Sequence, residues 1–201
     1  MNLRTKINLR NIIFTILGII FLGVGVAFTT KAGLGTNALD VLDEIIANKT
    51  GISFGRITFI AQILMIVFAF IFDRKTIGIG TLMAMFLTQF PIDITYSLIN
   101  RSDSFIINLL MVIIGVIVMA FGASMIIKGK LGMGTYEALT ISIANRLNVR
   151  FVYVKYVLDS IFLILVILFK GNIGVGTIIT YLFLGKLIEL FNNLLDRYLC
   201  E

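Results

Sequence analysis

Three carboxylates stand close together in "LGTNALDVLDEIIANKTG", residues 34–51, in a chain that has only eleven acidic residues. Asp40, Asp43 and Glu44 fall, with Ala47, at i, i+3, i+4 and i+7, the spacing that gathers side chains on one face of a helix. Carboxylates so arranged can hold a cationic group or exchange a proton or a sodium ion. They also do plain structural work, because an acid in the first turn opposes the positive end of the helix dipole and Thr36 or Asn37 can serve as N-cap. Capping and solvation suffice for Asp43 and Glu44; Asp40 is the stronger candidate, for a reason given below. Other chemistry is poorly supplied. There is no histidine and no tryptophan, and the one cysteine is Cys200, so a disulfide, a thiol cluster, the usual general base and the usual transition-metal ligand are all missing. No metal site, no cofactor and no enzymatic activity are expected. A Ser–His hydrolase lacks its histidine, and the Gly-x-Gly motifs end in Thr rather than the Asp of an intramembrane aspartyl protease.

The elements that must position these acids are set by the solvent. With 59% hydrophobic and 14% charged residues and a mean hydropathy of +1.04, the 201-residue chain has too little polar surface for a water-soluble globule. Apolar runs at about 11–30, 56–72, 76–99, 105–127, 152–169 and 173–195 are each near the length that carries a helix across roughly 30 Å of hydrocarbon. The expectation is one all-α membrane domain over 1–201, with the lipid bilayer as its first partner. The net charge of +6 is then read as basic loops left on the cytoplasmic side, not as nucleic-acid binding.

A repeat organises these runs. A shift of 97 residues lays Gly18 on Gly115, Gly25 on Gly122, Lys31 on Lys128, Leu34 and Gly35 on Leu131 and Gly132, and Phe54 on Phe151. Repeat one covers about 11–99 and repeat two about 108–195, so the first hydrophobic run is a span and not a signal peptide. Asp40 returns as Glu137 while Thr140 and Ile141 replace Asp43 and Glu44, which is why Asp40 and Glu137 are the preferred candidates. A second acidic pair, Asp93 and Glu189, lies twelve residues after Thr81 and Thr177, at a depth where an ionisable group normally faces a cavity or a partner. Pro91 removes a backbone hydrogen bond two residues before Asp93 and can kink that span. "GIGT" and "GVGT", with Gly78, Gly80 and Thr81 matched by Gly174, Gly176 and Thr177, open apolar helices; a tight turn explains them first and a ligand-facing helix start second. Gly18, Gly23, Gly25, Gly115 and Gly122 suit close helix packing.

Each repeat thus reads as a span, a short amphipathic or re-entrant helix, a span, a glycine break and a span. With the N-terminus inside, six spans place eleven basic residues in inside segments and five outside, with Lys186 in a span. Three spans per repeat is odd, so the halves are inverted, as in many secondary transporters, and both termini are cytoplasmic. If the short helices cross fully, eight spans and parallel repeats follow, with a weaker bias of ten against six.

"KAGLGTNALDVL", "GISFG" and "GIGTL", followed by a span carrying Asp93, resemble the YczE/YyaS/YitT family of bacterial integral membrane proteins, with closer similarity to the YczE-like branch. The resemblance implies a multi-pass protein of the bacterial cytoplasmic (inner) membrane and does not imply a particular substrate. Two functions stay open on these residues. One is a secondary-transporter-like permease or exporter of a small solute, with H+ or Na+ as coupling ion and with Asp40, Asp93, Glu137, Glu189, Thr36 and Asn37 at a site between the repeats. The other is an accessory or assembly protein that binds another membrane protein; a homodimer fits either.

Overall fold

A computed structural model describes residues 8–171 and 173–199, apart from the side chains of Lys75, Phe151, Val152, Tyr198 and Leu199. Arg4 and Lys6 of the charge count, and Cys200, lie outside the described residues. All regular structure among them is helical: α1 (Leu9–Lys31), α2 (Ala38–Thr50), α3 (Phe54–Phe72), a 3-10 turn at Arg74–Thr76, α4 (Ile79–Leu87), α5 (Gln89–Leu98), α6 (Phe105–Lys128), α7 (Thr135–Leu147), α8 (Phe151–Leu168) and α9 (Val175–Leu199). Four of these, over Leu9–Lys31, Phe54–Phe72, Phe105–Lys128 and Val175–Arg197, are long and apolar enough to cross a membrane. Their outer faces expose stripes such as Ile60, Leu64, Val67, Phe68 and Ile71 on α3 and Ile106, Leu110, Ile113 and Ile117 on α6. Water would not tolerate that much contiguous apolar surface, whereas lipid does.

The centre of the molecule is the pairing of α1 with α6. A Cβ on Gly18 would lie 2.7 Å from the Gly122 carbonyl oxygen, and one on Gly25 would lie 2.7 Å from that of Gly115. The early part of α1 therefore meets the late part of α6 and the reverse, so the two helices run antiparallel with backbones in direct contact. The buried hydroxyls of Thr15 and Thr29 are satisfied within α1, Thr15 donating to the Asn11 carbonyl at 2.9 Å and Thr29 to the Gly25 carbonyl at 3.2 Å.

One expected span differs from the sequence reading. The run at 76–99 is two helices that meet at Thr88, because Pro91 has no amide to offer the carbonyl of residue 87. Thr88 turns its hydroxyl back to the Ala84 carbonyl at 2.5 Å, and Pro91 packs against Gly23 of α1. The run at 152–169 is α8, which carries Lys155 and Asp159 one turn apart.

The glycine breaks connect the halves reciprocally. Gly80 N–H donates to the Leu131 carbonyl at 2.8 Å, and Gly176 N–H donates to the Leu34 carbonyl at 2.9 Å. The receiving loops turn at Gly35 (φ 82°) and Gly132 (φ 150°), conformations that favour glycine. Each "GxGT" helix start is thus docked onto the other half's loop, and a Cβ at Gly78 or Gly174 would run into the Leu131 or Leu34 oxygen.

Candidate functional site

The two short helices, α2 and α7, have 13 residues each and span about 20 Å, too short to cross the bilayer alone. Both begin at one cavity of about 100 Å³, which α2 lines with Asn37, Asp40 and Asp43 and α7 with Gly134, Thr135, Tyr136 and Glu137. Thr58, Gln62 and Met65 of α3, Thr88, Ile92 of α5, Lys155 of α8 and Leu184 of α9 complete much of its wall. Two positive helix ends therefore converge where three carboxylates lie.

Of the acids expected here, the structure brings Asp40 and Glu137 together. Asn37 is the N-cap position of α2 by backbone conformation, and Asp40 and Glu137 each sit in the first turn of their helix. Thr36 is buried outside the cavity wall, with its hydroxyl given to Thr29 at 2.8 Å. Asp93 and Glu189 are elsewhere. Asp93 accepts from Ser53 Oγ at 2.9 Å and Gly55 N–H at 2.7 Å, so it caps the start of α3 and borders a separate open pocket. Glu189 is exposed beside Lys186 and Arg197. Gly35, Gly78, Gly80, Gly132, Gly174 and Gly176 serve the loop docking described above; Thr81 accepts from Gly78 N–H at 3.3 Å, and Thr177 borders a side pocket.

Asp43 overturns its expectation as a solvated surface acid. It is 2% exposed, against 6% for Asp40 and 7% for Gln62. The Oδ2 atoms of Asp40 and Asp43 and the Oε1 of Gln62 are buried without a hydrogen-bond partner among the described residues. Buried polar atoms are normally paired, so a cluster of three idle acceptors on one cavity stands out. Burial pushes the Asp40 carboxyl well above the ordinary range, and the nearby Asp43 and Glu44 add to this while Asn37 opposes it. Asp43 is pushed up to about 7 by burial, against the opposing Thr58 hydroxyl. Burial also raises Glu137, opposed by its own backbone amide and by Lys155. Glu44 faces away from this group and accepts from the Tyr96 hydroxyl at 3.1 Å.

Beside the cavity, on α8, Asp159 has both carboxylate oxygens occupied. Lys155 Nζ lies 2.8 Å from Asp159 Oδ2, and the Tyr136 hydroxyl donates to the other Asp159 oxygen. Gln62 and Thr58 were missed by the sequence reading, as was Asp159, yet a signal was there: the same 97-residue shift lays Thr58 on Lys155 and Gln62 on Asp159. Two polar residues one turn apart recur inside apolar helices of both halves.

Fold and hydrophobic surface define a helical integral membrane protein. The sequence profile of the family of unknown function DUF6198 matches residues 9–193. The chain belongs to that family, within the YczE/YyaS group. It is 25% identical over 185 residues to "Uncharacterized protein YyaS" of Bacillus subtilis (strain 168), covering 90% of this chain and 92% of that one. It is 24% identical over 177 residues to "Uncharacterized membrane protein YczE" of the same organism, covering 88% and 82%. An uncharacterized protein of Haemophilus influenzae (strain ATCC 51907 / DSM 11121 / KW20 / Rd) is 25% identical over 177 residues, covering 88% and 80%. No solved structure matches significantly.

Proposed function

We propose that this protein is a secondary-transporter-like permease or exporter of a small solute, with its site in the cavity where α2 and α7 begin. The observation that carries the reading is the meeting of two short helix starts, one from each half, around buried acids with idle oxygens. Transporter sites commonly lie between repeats and are built from such helix ends. The halves are taken as inverted three-span repeats. Supporting this are the antiparallel contact of α1 with α6 and the exchange of equivalent bonds, Gly80 to Leu131 and Gly176 to Leu34, both of which a two-fold axis in the membrane plane would produce. The protein is placed in the bacterial cytoplasmic membrane with both termini inside, and H+ or Na+ is the coupling ion considered.

Reconstituted liposomes test the reading. Flux of at least one solute from a panel of cations, anions and neutral molecules should require the protein and be lost in Asp40→Asn of unchanged folded yield. Absence of flux across the panel, together with one membrane protein co-purifying in fixed ratio, would instead establish an accessory role.

A further inference from the structure

Resting on the reading of the cavity as a solute site, we propose that its ligand is a small organic ammonium held by Asp40, Asp43 and Gln62, and that Lys155 is the built-in counterpart of that ligand in the second half. The repeat register carries the argument. In the second half, Asp159 has its oxygens occupied by the Lys155 ammonium and the Tyr136 hydroxyl. At the matching positions of the first half, Gln62 replaces Asp159 and Thr58 replaces Lys155. Thr58 gives its hydroxyl to the Phe54 carbonyl at 3.1 Å, so at these two matching positions the first half supplies an acceptor and no cation. The three idle oxygens, from Asp40, Asp43 and Gln62, are all in residues more than nine-tenths buried. Acceptors shut away from water without donors are costly, and a donor-rich cation removes that cost.

The chemistry of the occupant follows from the walls. An anion would be drawn to the two helix starts but would have to sit against Asp40, Asp43 and Glu137, and Lys155, the one basic side chain among the wall residues named, is already committed to Asp159. A metal ion needs its ligands drawn into one compact shell, and the acidic groups among the described residues form no such set of three. Leu22, Val26 and Met119 supply apolar wall for the carbon part of a short alkylammonium, and about 100 Å³ limits it to a few heavy atoms.

Calorimetric titration of the purified, detergent-solubilised protein with methylammonium, ethylammonium and guanidinium chlorides, against sodium chloride at equal ionic strength, is the test. At least one of the three should bind saturably, and Asp43→Asn and Gln62→Met should each weaken it tenfold or more. Thr58→Lys should abolish binding while holding or raising Tm, because the new ammonium takes the ligand's place. Binding of none of the three above the sodium background, or wild-type affinity in Asp43→Asn and Gln62→Met, overturns the proposal. Ammonium binding without flux in liposomes would keep the ligand class and remove the permease. Flux of an anion or a neutral solute without ammonium binding would do the reverse.

Discussion

A carboxylate buried beside another acid must keep its proton or find a cation, and Asp43, against Asp40 and the Thr58 hydroxyl, is in that position. Its pKa is raised from 3.8 to about 7, so between those values the folded protein holds a proton that the unfolded chain releases. The contribution to stability is therefore present at low pH and is lost as pH rises through about 7. Thermal unfolding in detergent without ammonium should show Tm falling from pH 5 to pH 8, with the slope reduced in Asp43→Asn; Asp40 and Glu137, also raised by burial, keep the remainder. An unchanged slope would mean that Asp43 is ionised throughout. Asp43 was discounted on sequence because its repeat mate is Thr140, and agreement between copies favours what the halves share. Beside the shared pair Asp40 and Glu137, the cavity also uses what the halves do not share. Asp93 erred the other way: its depth and repeat mate drew attention, but its partners Ser53 and Gly55 lie about 40 residues away and carry no local signal.

Helices α1 and α6 meet backbone to backbone at their glycines. A Cβ at Gly25 would lie 2.5 Å from Met119 N, and one at Gly18 would lie 2.8 Å from Ile126 N, both on the backbone of α6. Gly25→Leu should therefore push α1 from α6 and lower stability by about 1–3 kcal/mol or more, read as reduced folded yield and Tm. At the glycine breaks a Cβ on Gly176 would meet the Gly35 carbonyl oxygen, so Gly176→Leu should fail to dock and lose folded protein before any effect on solute binding is measurable. Normal Tm in Gly176→Leu with solute binding lost would make the break a ligand element instead. The position of these glycines was legible because they recur at fixed spacing. That "GxGT" of one half receives the other half's loop was not, since both features look complete as local turns. The split of α4 from α5 was foreshadowed by Pro91, whose missing amide acts one turn upstream.

At the scale of the whole molecule, composition settled the solvent and the 97-residue register settled which segments correspond, while their arrangement around a shared cavity required the tertiary contacts of α1 with α6 and α2 with α8. Inverted halves with cytoplasmic termini make a topological prediction. In a Cys200→Ser background, Ser102→Cys should react with an impermeant thiol reagent applied to intact cells, and Lys75→Cys should not. Reaction at position 75 from outside contradicts six spans. A carrier further requires that one site be reachable from either side in turn, and Thr135, which lines the cavity, reports this. The decisive measurement is the reaction of Thr135→Cys with an impermeant quaternary-ammonium methanethiosulfonate in right-side-out and inverted membrane vesicles. The account predicts reaction in both, slowed by methylammonium; reaction in only one orientation, or in neither, contradicts it.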